Sequence, residues 1–402
     1  MNGLRNQSNS FLKDYLVMTD INVTVKSGKC VGCGNCKIIC PVHAINFTTI
    51  NGFEYPVINS NKCVSCGKCY KLCPINEEKS LSSPISFYAA YAKEEKMPAD
   101  STSGGICTLL SEMIIDSGGV VFSVRFTDDW KAEYARVDTI EDLQKHIGSK
   151  YMQADSKEVQ IKIVEELKSK KVVLVIGTPC FISAVNKYIN FLKVDRSNII
   201  TVDFLCHGVP SPEVASAYIK SLDNKGKKLV SYNFRSKKSG WGKHVRSIRY
   251  EGEMEKSIRS DFCPLQTWFG HHLSLRESCF NCDYRSVERA SDITVADFWK
   301  IEKYYPEIPY KQGVSSVQIN TNNGEDIFKK LIDSENIVSK EVSQESIWEH
   351  RKTATRNFNK PEKYDLFWET WNNDGLKGIF KVFPPKNLWT MIKAKIKSLL
   401  KV

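Results

Sequence analysis

Eight of the chain's 14 cysteines fall in two runs of one spacing: Cys30-Val-Gly-Cys33-Gly-Asn-Cys36-Lys-Ile-Ile-Cys40-Pro41 recurs, 30 advancing to 63, as Cys63-Val-Ser-Cys66-Gly-Lys-Cys69-Tyr-Lys-Leu-Cys73-Pro74. Few patterns constrain a fold more. Three cysteines in consecutive C-x-x-C steps wrap one face of an iron-sulfur cubane, whose irons each need one thiolate beyond the bridging sulfides. In the bacterial two-cluster arrangement the fourth cysteine of each run crosses over. One 4Fe-4S cluster is therefore expected on Cys30, Cys33, Cys36 and Cys73, and another on Cys63, Cys66, Cys69 and Cys40. Gly32, Gly34 and Gly67 leave backbone amides free to turn toward sulfide, and Pro41 and Pro74 end each helical turn. Paired zinc sites also use four thiolates, but zinc ribbons draw on separate C-x-x-C pairs rather than four cysteines in one run.

This front segment, residues 21–79, resembles a bacterial dicluster ferredoxin, which carries electrons singly and has no substrate chemistry of its own. The 323 residues that follow it must supply that, and the chain is long enough for a second domain with its own core. So many cysteines point to metal rather than disulfides in a reducing compartment. The first 20 residues are a tail with scattered charge and no apolar core before a small-residue cleavage site, so no secretory signal is read and the cytoplasm is expected. A net charge of +11, from 57 Lys and Arg against 46 Asp and Glu, is spread along the chain. It marks no nucleic-acid groove.

The polar stretch INEEKSLSSP (75–84) reads as a connector, placing a domain boundary near residue 80. Beyond it, apolar runs at 87–92, 120–126, 172–176 and 199–205 alternate with helical patterns near 103–117 and 156–169 and behind the third and fourth runs. Strands dominate from about 230 to 320. The expected fold is an α/β domain with a mixed, partly parallel sheet over 80–345, behind the small cysteine module.

Two buried-type strands end in cysteine loops, VVLVIGTPC at Cys180 and ITVDFLCHG at Cys206, and a C-x-x-C pair follows at Cys279 and Cys282. Ligands collect at the carboxyl ends of strands in open α/β sheets, so Cys180 and Cys206 can face one crevice, and the pair brings the possible thiolates to four. Spacing leaves three readings open: a third cluster, a structural zinc, or ordinary buried cysteines beside an incidental pair. Asp100-Ser101-Thr102-Ser103-Gly104-Gly105 opens a helix, where backbone amides either seat a flavin pyrophosphate or are simply capped. Gly148-Ser149-Lys150-Tyr151 offers a cation, a hydroxyl and a ring. The loop from Phe234 to Gly242 is basic and carries Trp241, and His207 adjoins Cys206.

Taken in order, STSGG, GSKY, GTPC, DFLCHGVPSP, FRSKKSGWG, SCFNCDYRS and SDITVADFW resemble the coenzyme F-420 hydrogenase and dehydrogenase beta subunits over roughly residues 84–320. Ala296 stands where that family's motif has glycine. The resemblance implies an FAD-dependent iron-sulfur oxidoreductase with a further 4Fe-4S cluster on Cys180, Cys206, Cys279 and Cys282. It places Ser101, Ser103, Gly104, Gly105 and Lys150 at the flavin. Electrons would pass between a ferredoxin or partner subunit and a small-molecule substrate, the deazaflavin coenzyme or another. A non-catalytic electron-transfer subunit is the alternative. The expected tail, 346–402, is basic and helical, and Leu388, Met391, Ile392, Ile396 and Leu399 at helical spacing opposite lysines fit peripheral contact with an acidic membrane or docking on protein.

Overall fold

The computed structural model describes residues 20–76, 79–96, 100–156, 158–223, 226–243, 245–259 and 262–385. The tail apolar positions from Leu388 to Leu399 lie outside these residues. Among the described residues, no helix is long and apolar enough to cross a membrane.

The cysteine module is a hairpin, β1 (Ile45–Ile50) and β2 (Phe53–Ile58), between the two cysteine runs. The rest is built on a nine-stranded sheet of β3 (Ser86–Ala92), β4 (Val120–Phe126), β5 (Ala132–Val137), β6 (Ala154–Asp155), β7 (Val173–Gly177), β8 (Ile199–Phe204), β12 (Ile293–Asp297), β13 (Ser315–Ile319) and β14 (Ile337–Glu341). A separate three-stranded sheet holds β9 (Leu229–Ser236), β10 (Val245–Tyr250) and β11 (Lys256–Ile258). The large sheet runs in the order β14-β3-β13-β12-β8-β7-β4-β5-β6. Its centre, β12, β8, β7 and β4, is parallel, and antiparallel strands flank it, so the sheet is mixed as expected.

The central strands are apolar on both faces because helices cover both. Val120 and Phe122 of β4 and Val173 and Val175 of β7 pack on α2 (Val159–Lys168) and α3 (Pro179–Phe191). Val121 and Leu174, pointing the other way, meet α1 (Ile106–Asp116) and α5 (Asn322–Asp333). The small sheet buries Tyr232, Phe234 and Ile248 against α4 (Pro212–Ser221) and α6 (Tyr364–Val382). α6 breaks at Gly375 (φ 59°), and its Trp368 meets Phe53 of β2 edge-on at 5.8 Å. The cysteine module is thus packed onto the body of the protein.

The connector is pinned too. Ser82 and Arg289 exchange backbone hydrogen bonds of 2.7 and 3.0 Å. The Arg289 side chain is 2% exposed and donates to the fully buried Asp203 at the end of β8, at 2.9 and 3.2 Å. Burial pushes the Asp203 carboxyl up, against the pull of Arg289. Removing one member of such a pair strands the other charge, so Arg289→Ala is expected to cost about 3–5 kcal/mol in denaturant unfolding, more than the double replacement Asp203→Leu with Arg289→Met. A loss under about 1 kcal/mol would show that the pair is not structural.

Candidate functional site

The crossing of the two cysteine runs is present in the geometry. Cys30, Cys33 and Cys36 line one cavity of about 310 Å³ together with Cys73 of the other run. Cys63, Cys66 and Cys69 line a second, of about 500 Å³, with Cys40 of the first. Gly34 (φ 81°) and Gly67 (φ 68°) adopt the left-handed backbone at matching places, each opening the short helical turn that carries its run's third cysteine. Such turns favour glycine. Burial, and then the neighbouring thiols, push Cys33 and Cys36 well up, and burial raises Cys69 and Cys73. Thiols crowded this way stay neutral by themselves and become thiolates only beside strong positive charge.

A third quartet forms where the parallel strands end. Cys180 sits in the first turn of α3, just past β7, and Cys206 follows β8 by two residues. Both line one cavity of about 660 Å³ with Cys279 and Cys282. Burial, then the other thiols, carries Cys180 up to about 12, and burial carries Cys279 up to about 11. The Val209 N–H points at Cys279 Sγ (3.4 Å), and Thr178 Oγ1 lies 3.3 Å from Cys180 Sγ. The donor set therefore fits a cluster: four convergent sulfurs, hydrogen bonds to sulfur, and a cavity between them. Among the described residues no three His, Cys, Asp or Glu side chains converge as they would around one small ion.

The first and third cavities are neighbours. Lys29, Val31 and Ile75 of the cysteine module line the third cavity, and Val31 lines the first as well. Between them lies Arg276, 1% exposed. Its Nε donates to the Cys30 carbonyl (2.6 Å), its Nη2 to the Glu54 carbonyl (3.0 Å) and toward Cys30 Sγ (3.5 Å), and its Nη1 to Gln153 Oε1 (2.8 Å). The guanidinium also lies over the Tyr55 ring, 4.2 Å from its centroid. Gln153 donates to the Val31 carbonyl (2.9 Å), Gln160 to that of Cys33 (2.6 Å), and Lys187 to that of Cys73 (2.8 Å). Gly32 has the left-handed backbone (φ 72°), and a Cβ there would sit 2.5 Å from Gln153 Nε2 and 2.9 Å from Arg276 Nη1, so a larger residue would be strained and would displace these two side-chain ends.

The residues expected at a flavin lie on two loops, one just past the end of β3 and the other at 148–151. Ser101 Oγ donates to the Ser103 carbonyl (3.2 Å), Ser103 Oγ to that of Val314 (3.0 Å), and the Gly104 N–H to Ser315 Oγ (3.1 Å). Gly105 (φ 82°) opens α1 with no side-chain cap. Ser149 Oγ lies 3.4 Å from Thr102 Oγ1, joining the 148–151 loop to this one. Lys150 Nζ is turned into its own loop, onto the carbonyls of Lys145, His146, Ile147 and Gly148 at 2.9–3.3 Å, and burial pulls it down to about 7. Lys237 of the basic loop donates to the Ser103 carbonyl (2.9 Å), Arg235 pairs with Asp297, and Trp241 stacks on Trp299 at 4.8 Å. Tyr151, Phe234, Phe269 and the buried Arg246 line a cavity of about 310 Å³ between α4 and the small sheet. His207 Nε2 lies 2.8 Å from His272 Nε2, and burial pulls His207 down to about 4. Arg276, Gln153 and Gln160 are the residues with no sequence motif to announce them.

Residues 87–160 match the model of the coenzyme F420 hydrogenase/dehydrogenase beta subunit N-terminus, and 170–345 that of its C terminus. The chain belongs to this family. Residues 29–76 match a 4Fe-4S dicluster domain, so a ferredoxin-like module precedes the two halves of the beta-subunit family. Members of the family are oxidoreductase subunits. Among solved structures, a chain of the xenon-derivatized F420-reducing [NiFe] hydrogenase complex from Methanosarcina barkeri is similar at 19% identity and a TM-score of 0.48, over 74% of this chain and 94% of that one. No curated protein matches.

Arg276 places a fixed positive charge against a thiol of this beta-subunit-family chain's dicluster module. Hydrogen bonds and charge at cluster sulfur tune its potential. Arg276→Met is therefore expected to lower, by about tens of millivolts in an EPR-monitored redox titration, the midpoint of a centre on the first quartet and of any on the third, leaving that on Cys40, Cys63, Cys66 and Cys69 unmoved. Equal shifts in every cluster, or none, would rule this placement out.

Proposed function

We propose that the protein is an iron-sulfur flavoprotein subunit that passes electrons between a carrier or partner subunit and a small organic substrate, with the deazaflavin coenzyme of the family's name as one candidate. The observation that carries it is the third cavity. Four thiols from β7, β8 and the 279–282 segment meet there with residues of the dicluster module, so a centre held by Cys180, Cys206, Cys279 and Cys282 adjoins one held by Cys30, Cys33, Cys36 and Cys73. FAD bound at the glycine-rich opening of α1 would supply the exchange between hydride pairs and single electrons. The chain's own part is to orient and to exclude water. The uncapped start of α1 presents backbone amides suited to a pyrophosphate, and Lys237 anchors the loop beside them. Tyr151, Phe234 and Phe269 offer a dry aromatic wall for a flat ring, with Arg246 as the cation at its edge. Electron flow in either direction suits this layout.

A second reading, an electron-transfer subunit without flavin or substrate, is favoured by one observation: Ser101, Ser103 and Lys150 all spend their side-chain donors on backbone carbonyls. Counting separates the two. Anaerobic purification is expected to yield about twelve irons and about one flavin per chain, and Cys282→Ala about eight irons. Clusters without flavin favour the second reading, and an iron content unchanged in Cys282→Ala eliminates the third centre.

A further inference from the structure

The second quartet differs from the other two in where it lies. Cys30, Cys36 and Cys73 of the first are buried, whereas Cys66 of the second is exposed. The cavity it shares with Cys40, Cys63 and Cys69 is also lined by Val42 and Val64, which are 37% and 61% exposed. Two branched apolar side chains thus reach the surface beside the thiol quartet. Positive charge predominates in this stretch of the chain. Between Cys40 and Cys73 the chain carries Lys62, Lys68 and Lys71 against the single acid Glu54, and all three lysines are exposed. Lys68 itself lines the cavity. None of the three pairs with an acid among the described residues, in a protein where many surface lysines do. The carboxylate lining the cavity, Asp20, is turned back onto the Asn22 N–H at 2.7 Å. An apolar centre with a rim of one charge is the form of a transient electron-transfer interface, in which the rim steers and the centre makes contact.

We infer that this face, Val42 and Val64 within Lys62, Lys68 and Lys71, docks an acidic one-electron carrier protein. The inference rests on the preceding reading of the second quartet as a cluster site and gives that cluster the role of outer port. In the docked pair one electron leaves the carrier's reduced centre and enters the cluster on Cys40, Cys63, Cys66 and Cys69. No bond forms or breaks, the carrier is oxidised by one equivalent, and the cluster gains one negative charge. The reverse transfer uses the same face.

The test uses the full, anaerobically purified holoprotein and reduced flavodoxin, an acidic carrier whose oxidation is read in stopped flow as its blue semiquinone. The second-order rate is expected to fall as salt is raised, and to fall roughly tenfold when Lys62, Lys68 and Lys71 are all changed to Glu. Val64→Asp is expected to slow transfer while keeping the salt dependence. Lys329→Glu with Lys330→Glu, on the exposed side of α5, should leave the rate unchanged. Cytochrome c, a basic acceptor, is expected to react slowly with the reduced protein and to speed up with salt. A triple variant with its full iron and a wild-type rate overturns the docking face. So does an equal loss from the α5 pair. A failure of the cluster reading looks different: iron is missing from the unmutated protein before any rate is measured.

Discussion

A single buried guanidinium holds this molecule's two parts in register. Arg276 leaves water entirely, and a charge that does so must find partners for its donors. It finds them in the Cys30 and Glu54 carbonyls, the Cys30 sulfur and Gln153. Three of these belong to the dicluster module, while Arg276 itself lies on the segment leading to Cys279. Sliding the module along the body by one residue would strand the charge, at a cost of several kcal/mol. Satisfying that group therefore helps to set the geometry between the first and third thiol quartets, with Gly32 providing the clearance.

Much nearby follows from the same need to satisfy buried donors. Gln160 is 1% exposed and donates to the Cys33 carbonyl and to Asn35 Oδ1, while Asn35 donates to the Ala184 carbonyl of α3. The cysteine loop thus has its carbonyls taken by the body of the protein, so its amides remain for its own turn. The parallel strands contribute differently. Side-by-side β7 and β8 end at the same level, and the chain turns at Thr178-Pro179 and at Leu205 without reaching far. Cys180 and Cys206 then have to meet. A Cβ on Gly177 would lie 2.6 Å from Tyr134 Oη, which shows how closely β5 and the start of α3 are packed there.

Much of this was legible in the sequence because its physics is local. A cubane needs thiolates at fixed short intervals, so the eight module cysteines and their crossing can be read from spacing, and the parallel strands from unbroken apolar runs. The reading was weaker where function is assembled from distant pieces. Cys180 and Cys206 lie 26 positions apart and 99 and 73 positions before Cys279, so spacing left zinc, cluster and plain burial open, and only the shared cavity brings the four together. Lys150 illustrates the opposite case. A lysine beside serine and tyrosine reads as a phosphate ligand, yet its ammonium satisfies the carbonyls of its own loop. A short motif states which donors are present, not which acceptors reach them first. Strands β5 and β14 left little trace, since each is only five or six residues long with a weak apolar pattern and both lie at or next to the sheet's edges.

Arg276 is the extreme of that limit. Nothing in Ser274-Leu275-Arg276-Glu277 distinguishes it from a solvated surface arginine, the usual fate of that residue. Its partners lie 246, 222 and 123 positions away. A group recruited by tertiary geometry has no local pattern to satisfy, because the constraint acts on where it arrives and not on what precedes it in the chain. The asymmetry has a physical root. Metal ligation fixes the spacing of ligands along the chain, whereas the interface that aligns one centre with the next fixes only distances in space, and many sequences can meet those. The ligands of the dicluster module are thus spelled out locally, whereas the contacts that align the module with the body exist only in the folded chain.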